Sequence, residues 1–372
     1  MFLQKLSLIN FKNYREEELS FCEKINCFVG DNGEGKTNLL DAIHYLSFCK
    51  SYFNPIDSQN ILHDSDFFVI QGAFVKEESS DTVYCAQKRN ERKQFKLNKK
   101  EYGRFSDHIG LYPLVMISPA DSSLINDGSE ERRKYLDSVI SQFNKIYLDD
   151  LINYNKALLQ RNTLLKHFAE NRRFDKASLE VWNKQLVVLG EKIYSVRSEF
   201  LDNFLPMFSE HFRFITGSRE NVNIEYPSQL KEGDYSRMLE ESIDKDRILQ
   251  YTSVGIHKDD LSFTIDGFPL KKFGSQGQQK SFIIALKLAQ FDYTKNIKGF
   301  KPVLLFDDIF DKLDNFRVEQ LMKLVSNNSF GQVFLTDSHP ERIETIFKDI
   351  KTELKVFGIK KGSVEDSKHR KE

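Results

Sequence analysis

Several things are scarce in this chain, and each scarcity removes a class of protein. Its 372 residues hold four cysteines, Cys22, Cys27, Cys49 and Cys85, with no Cys-x-x-Cys pair and no secreted-type spacing. A disulfide framework is thereby excluded, and a reducing cytosol is the expected compartment. The formal net charge is only −1, so any hold on a polyanion has to come from local patches. No run approaches the roughly 20 apolar residues of a membrane span. The first ten residues, Met1 to Asn10, alternate like a strand where a secretory signal would carry an apolar core. The expectation is a chain that is neither exported nor embedded in a membrane. Internal repeats and low-complexity tracts are missing too, apart from a charged tail, Glu365 to Glu372, expected to fray. What remains is globular: 40% hydrophobic and 13% aromatic residues suffice for packed cores in two or three domains.

The most specific feature present is Gly30-Asp31-Asn32-Gly33-Glu34-Gly35-Lys36-Thr37, which fits G-x-x-x-x-G-K-[ST]. Ile25 to Val29 before it is short and apolar enough for a buried strand. Leu39 to Leu46 after it recurs at helical spacing. Strand, loop and helix are the surroundings a phosphate-binding loop needs. Glycines let backbone N–H groups wrap a phosphate, the helix N-terminus adds positive potential, Lys36 reaches the outer phosphates and Thr37 can ligate Mg²⁺. The loop predicts ATP or GTP; the plain alternative is a chance glycine-rich turn.

Lys301 to Phe306 reads as an apolar strand, and it ends in Asp307-Asp308. A phosphate-loop protein holds Mg²⁺ and polarises water with carboxylates so placed. Asp307 is assigned to the magnesium and Asp308 to the attacking water; the alternative is a solvated acidic turn. Between the two motifs lies Phe273-Gly274-Ser275-Gln276-Gly277-Gln278-Gln279-Lys280-Ser281, followed by an apolar helix. A serine with glycines at a helix start is a second anion site.

The order of phosphate loop, serine-glycine helix start and acidic strand resembles the ATP-binding cassette heads. In that class the serine motif faces the γ-phosphate held by another head. One chain here carries one of each, so the resemblance implies a head-to-tail homodimer with two ATP between protomers, Ser275, Gly277 and Gln278 of one completing the site of the other. Within the class the chain is similar to the RecF family of bacterial DNA repair proteins over nearly its whole length. The residues that carry this are Asn10 to Tyr14, Gly30 to Leu40, Ile117-Ser118-Pro119, Glu131 to Asp137, Tyr154 to Lys166 and Gly255 to Leu261, with the Ser-Gln-Gly-Gln-Gln form of the serine motif. Asp308 stands where most cassette ATPases have glutamate, as in RecF proteins, and the shorter carboxylate predicts slow hydrolysis. After the acidic strand the chain departs from the family: Asp311 and Lys312 replace the usual serine and glutamate, whereas Leu313 and Asp314 match. His339 lies a few residues beyond the place of a γ-phosphate sensor.

The expected fold is α/β, a phosphate-loop ATPase head on a mixed sheet, residues 1–122 and 250–372, interrupted by a compact helical arm, 123–249. Leu151, Tyr154, Leu158, Arg161 and Leu165 share one helical stripe, and Leu186, Leu189, Ile193 and Val196 another. Sustained heptads are absent, so the arm is a lobe and no long coiled coil. Pro206 and Thr216-Gly217-Ser218 are read as turns on the way back to the sheet.

Nucleic acid is suggested separately by Lys88, Arg89, Arg92, Lys93, Lys96, Lys99, Lys100 and Arg104, eight basic residues against Glu91 and Glu101. Such a run can neutralise phosphates. Interleaved Phe95, Leu97 and Tyr102 equally suit the solvated face of a hairpin. Arg132 and Arg133 begin the arm and are further candidates. No base-reading motif is present, so contact is expected with the DNA backbone and with little sequence specificity. Asn13, Tyr14 and Arg15 are candidates for the adenine pocket.

Three functions compete. The favoured one is an ATP-gated clamp on duplex, single-strand or junction DNA with weak ATPase activity. The resemblance adds RecR- and RecO-type partners, help in loading the recombinase RecA, and a link to the SOS response. A small-molecule phosphotransferase would leave the serine motif unexplained. An ATPase joined to a nuclease would need a further metal-binding carboxylate domain.

Overall fold

The computed structural model describes residues 1–77, 79–310, 313–326, 329–348 and 350–371. Asp311 and Lys312, where the chain departs from the RecF pattern, lie outside the described residues, as does Glu372. The chain divides into two compact units, one of residues 1–122, 210–219 and 275–372, the other of 123–209 and 220–274. The second unit thus continues to Gly274, where the sequence placed the return to the head at 250.

In chain order, the alternating N-terminus forms β1 (Phe2–Phe11) and β2 (Tyr14–Ser20), and the apolar run forms β3 (Ile25–Val29), buried throughout. The phosphate-loop motif opens α1 (Lys36–Phe48). There follow β4 (Phe67–Lys76), β5 (Ser79–Lys88), β6 (Gln94–Leu97), β7 (Lys100–Glu101) and β8 (Leu114–Ile117). Next come α2 (Ser123–Asn126), α3 (Ser129–Ser141), α4 (Lys145–Asn171), α5 (Lys176–Thr216) and β9 (Val222–Glu225). The elements α6 (Tyr235–Glu241), α7 (Ile243–Leu249), β10 (Ser262–Ile265), β11 (Phe268–Pro269) and α8 (Leu270–Phe273) complete the second unit. The rest is α9 (Gln276–Lys298), β12 (Val303–Phe306), α10 (Asn315–Ser326), β13 (Val333–Asp337), α11 (Pro340–Phe347), β14 (Leu354–Lys360) and β15 (Ser363–Arg370).

The first unit holds two six-stranded sheets. One is antiparallel, in the order β2-β1-β4-β5-β6-β7. The other, β15-β14-β3-β13-β12-β8, is parallel except for β15 at its edge. Parallel strands covered on both faces read as near-continuous apolar runs, as β12 and β8 do throughout and β3 and β13 do apart from Asn26, Thr336 and Asp337. Leu39, Leu40, Ile43 and Leu46 of α1 share one core with Leu6 and Leu8 of β1 and Ile70 and Phe74 of β4. Parallel strands present their carboxyl ends on one side of the sheet, where α/β folds bind ligands. Here β3 leads into Gly30, β8 into Ser118 and β12 into Asp307, and β13 ends at Asp337.

Two expectations are corrected. The charged tail does not fray: residues 363–370 form β15, paired with β14 from Lys360↔Ser363 to Leu354↔Arg370. The hairpin turn is Lys361-Gly362, with φ of 49° and 71°, a turn with two positive φ values that suits a two-residue connection. An edge strand pairs through its backbone and needs no apolar side chains, so charge alone was a poor guide. Pro206 likewise marks no turn, because it sits inside α5. Phe200, Phe204, Phe208 and Phe212, four residues apart, keep one face of that helix buried, and Pro206 faces outward. The lost backbone hydrogen bond therefore falls on the exposed side.

In the second unit, Arg161 on the apolar stripe of α4 is fully buried because its guanidinium is answered: Nη1 donates to Asp246 at 2.7 Å and Thr252 at 2.8 Å, and Nε to Asn183 at 2.7 Å. Arg197 of α5 donates to Asp137 at 2.7 Å, to Tyr147 at 3.0 Å and to the carbonyl of Ile256 at 3.1 Å. Buried charges persist only when paired and hydrogen-bonded.

Candidate functional site

The site is built on the glycine loop between β3 and α1. Gly30, Gly33 and Gly35 have φ of 151°, 86° and 118°, and a Cβ on Gly30 would lie 2.2 Å from the carbonyl oxygen of Ile359. Nothing lies within 4 Å of the corresponding point on Gly33, so the loop is tight at its base and open at its crest. Lys36 folds over it, donating from Nζ to the carbonyls of Gly30 at 2.5 Å and Asp31 at 2.8 Å. Burial lowers the pKa of this ammonium, and Asp308, Asp307 and Asp31 pull it back up. A phosphate group placed at the crest would meet the ammonium and the N-terminus of α1 together.

Asn13 and Tyr14, considered for adenine, are committed to bracing this loop. Asn13 Nδ2 donates to the carbonyl of Glu34 at 2.9 Å, and its Oδ1 accepts from Asn38 at 2.8 Å. The buried Tyr14 hydroxyl donates to the carbonyl of Gly35 at 3.1 Å, and burial holds the phenol well above its usual pKa. From β14 and its turn, the amide of Gly362 donates to the Glu34 carbonyl at 2.9 Å, and that of Lys361 to its carboxylate. Arg15 is exposed.

Asp307 is the hub of the acidic strand end. Its Oδ1 accepts from the hydroxyls of Thr37 at 2.8 Å and Thr336 at 2.9 Å, and its Oδ2 from Ser118 at 3.4 Å. Burial raises its pKa, with the Thr37 and Thr336 hydrogen bonds opposing. Asp308 has φ 48°, and its amide donates to Thr336 Oγ1 at 2.9 Å. A loop hydroxyl beside an enclosed carboxylate is a set of oxygen donors of the kind a small hard cation takes. Thr336 and Ser118 were not foreseen as part of this site. Ser118 appeared only inside the Ile117-Ser118-Pro119 match, and nothing local marks Thr336.

Ser275 caps α9: Ser275 Oγ accepts from the amide of Gln278 at 3.3 Å, and Gln278 Oε1 accepts from the amide of Ser275 at 2.7 Å. This capping box fixes the start of the helix. Ser275 is exposed, and the ideal Cβ of Gly277 would stand 2.9 Å from Arg317 Nη1. His339 is exposed at the start of α11 and makes no side-chain cap.

The basic candidates divide. Arg89 and Arg92 are exposed, with single donations to the carbonyls of Ser65 at 3.1 Å and Gly103 at 3.4 Å. Lys88, also exposed, pairs with Glu91 at 2.6 Å. Lys93 turns inward, pairing with Asp57 at 2.7 Å and donating to the carbonyl of Cys49 at 2.7 Å, so its ammonium is not directed at an external phosphate. Arg132 is held bidentate by Asp260, at 2.6 and 3.0 Å, and Arg133 donates to the carbonyl of Asp259 at 2.5 Å.

With this geometry, the comparisons with known proteins agree. The family model of the RecF/RecN/SMC N terminal domain matches residues 2–362. The DNA replication and repair protein RecF of Flavobacterium johnsoniae is 54% identical over 359 residues, 96% of this chain and 100% of that one. The chain belongs to the RecF family. The RecF of Phocaeicola vulgatus is 50% identical over 374 residues, covering 100% of both. Among solved structures, the recombination mediator protein RecF with ATP, of the RecFOR pathway, superposes with a TM-score of 0.88 at 29% identity, over 99% of this chain and 97% of that one. A SMC head bound to the winged-helix domain of ScpA, at TM-score 0.59 and 14% identity over 100% of this chain and 98% of that one, shares the fold. The expected RecF resemblance and cassette-type α/β head are therefore borne out.

Proposed function

We propose that this RecF protein is an ATP-dependent DNA-binding protein of recombinational repair and replication, in which two protomers close on DNA around two shared nucleotides. The observation that carries it is the Thr37 hydroxyl seated on Asp307 at 2.8 Å beneath an open glycine crest. The backbone from Gly30 to Gly35 and the Lys36 ammonium would hold the phosphates of ATP, and Thr37 and Asp307 would hold Mg²⁺. When bound, the metal neutralises phosphate charge and polarises the bond to be broken. Asp308 would orient the attacking water, its reach limited by the short side chain, so turnover is slow. Ser275, Gly277 and Gln278 would close on the nucleotide of a second protomer, where the exposed capped helix start offers backbone amides to a phosphate.

Whereas Arg132 and Arg133 of the second unit, candidates from the sequence, hold Asp260 and the carbonyl of Asp259, the DNA contact in this reading comes from the exposed Lys88, Arg89 and Arg92. Their targets are backbone phosphates, which gives strong salt dependence and weak sequence preference. Relatives named for DNA replication and repair, and a solved neighbour named as a recombination mediator of the RecFOR pathway, support the repair role and RecR- and RecO-type partners. Help in loading RecA, SOS induction and a cytoplasmic setting belong to the same reading through the family resemblance. Among the described residues no helix is long and apolar enough to cross a membrane. No group of three or more metal-ligating side chains gathers there either. The test is the affinity for a gapped duplex by fluorescence anisotropy. ATP with Mg²⁺ should tighten binding about tenfold or more over ADP. Equal affinity with ATP, ADP and no nucleotide would contradict the proposal.

A further inference from the structure

Asp121, just past the end of β8, lies where three buried chains of contacts meet within the first unit. Its side chain and that of Lys287 are 3% and 6% exposed and form an ion pair at 2.7 Å. On one side, Asp121 Oδ2 accepts from the amide of Ser118 at 2.8 Å, and the hydroxyl of Ser118 donates to Asp307 Oδ2 at 3.4 Å. On another, the hydroxyl of Tyr52 donates to Asp121 and also accepts from Lys287 at 3.2 Å. The amide of Tyr52 donates at 2.6 Å to Asp41, a buried residue of α1, and Asp41 pairs with Lys12 at 2.6 Å. The third chain is α9 itself, which carries Lys287 and begins at the Ser275 cap.

We propose that Asp121 and Lys287 are a positioning pair for the metal site. They hold Ser118 so that its hydroxyl fixes the second oxygen of Asp307 and keeps the first, shared by Thr37 and Thr336, turned to the cation, and they tie that arrangement to the helix whose start carries the serine motif. Neither residue reaches the phosphate loop in the hydrogen bonds described; both act through Ser118. A carboxylate whose rotation is fixed by outer hydrogen bonds binds a metal more tightly than one left to turn, and loss of such partners costs about 10–100-fold in metal affinity. A helix with a buried cation anchored to that carboxylate's support moves with it as one piece. The inference rests on the reading of Asp307 as the magnesium carboxylate.

The experiment measures the Mg²⁺ concentration that half-saturates binding of a fluorescent ATP analogue to dilute protein, for wild type, Ser118→Ala, Lys287→Arg and the double variant Asp121→Asn with Lys287→Met. The double variant removes both charges together, so neither is left buried and alone. The half-saturating Mg²⁺ concentration should rise about tenfold in the double variant and in Ser118→Ala, stay near wild type in Lys287→Arg, and leave Mg²⁺-free ATP affinity unchanged. A purely structural pair would lower the melting temperature and leave the Mg²⁺ requirement within about twofold of wild type, and that result would overturn the proposal. The readout needs a single protomer. A protein that never dimerises would remove the clamp and leave this measurement decisive, whereas an unchanged Mg²⁺ response in a protein that does dimerise removes only the positioning pair.

Discussion

Thr37 and Asp307, 270 residues apart in sequence, meet at 2.8 Å, with Thr336 sharing the same carboxylate oxygen at 2.9 Å. Because Asp307 is buried and its pKa is raised, chiefly by burial, the folded protein holds the carboxyl proton more tightly than the unfolded chain. Stability from this group is therefore present below the ordinary carboxylate pKa and lost as pH rises through the raised value. In the nucleotide-free protein at neutral pH the charge is a cost. Asp307→Asn, whose amide oxygen can still accept from Thr37 and Thr336, should raise the nucleotide-free melting temperature by about 2–4 °C. It should also abolish the added stabilisation by ATP that requires Mg²⁺. Differential scanning fluorimetry with and without Mg²⁺ checks both signs.

The base of the phosphate loop should tolerate no side chain. With φ 151° and a would-be Cβ 2.2 Å from the carbonyl oxygen of Ile359, Gly30→Ala must push the loop away from β14. We expect a loss of about 1–3 kcal/mol in urea unfolding together with loss of ATP binding. Gly33→Ala, with φ 86° and no atom within 4 Å, should cost about 1 kcal/mol from backbone strain alone.

Two buried histidines make the first unit acid-sensitive. His44 donates from Nδ1 to the carbonyl of Lys50 at 3.1 Å, and His108 donates from Nε2 to the carbonyl of Leu46 at 2.7 Å. Burial lowers both to about 4. The unfolded chain then binds more protons between pH 6.5 and 4, so stability is full above the ordinary histidine value and falls as pH drops through this window. From pH 7 to pH 5 each should remove about 2 kcal/mol. His108→Gln should flatten the dependence of the urea midpoint on pH, measured at pH 7, 6 and 5.

Charge reversal separates the exposed basic residues from the inward one. Arg89→Glu with Arg92→Glu should weaken binding to duplex DNA about tenfold and lower the salt-dependence slope by about two, with nucleotide binding unaffected. Lys93→Ala should act on stability, by about 2 kcal/mol, because it removes the cation at 2.7 Å from Asp57 and leaves that carboxylate only the Tyr45 hydroxyl among the contacts described. Anisotropy titrations at several salt concentrations, paired with thermal melts, distinguish the two.

Much of the head was legible because its signals are local. Gly30 to Thr37 form one short loop and helix start, Asp307 and Asp308 follow one apolar strand, and Ser275 opens one apolar helix, so each could be read from a short window. The residues missed are those that tertiary pairing brings in. Ser118 and Asp121 share the stretch after β8, Thr336 lies on β13 and Lys287 on α9, and none carries a pattern that points to Asp307. Asn13 and Tyr14 were adenine candidates by position, and what position alone did not show is that Asn13 Nδ2 and the Tyr14 hydroxyl go to the carbonyls of Glu34 and Gly35 and that Asn13 Oδ1 takes Asn38. Lys93 looked like its neighbours in a basic run, yet its partner Asp57 is 36 residues away. The β15 edge strand and Pro206 within α5 were misread because charge and proline are local cues. Backbone pairing with β14 outweighs the first, and the phenylalanine stripe of α5 outweighs the second.

The shared nucleotide is the centre of this account, and the solution mass of wild type and Ser275→Arg, with ATP, with ADP and without nucleotide, tests it most directly. Wild type should become a dimer with ATP and Mg²⁺ and stay a monomer with ADP. Ser275→Arg should bind ATP as tightly and remain monomeric, because its own phosphate loop is intact and only the face offered to a second protomer is changed. A wild type that binds ATP yet stays monomeric with and without DNA, or a Ser275→Arg variant that dimerises as well as wild type, would contradict the composite site.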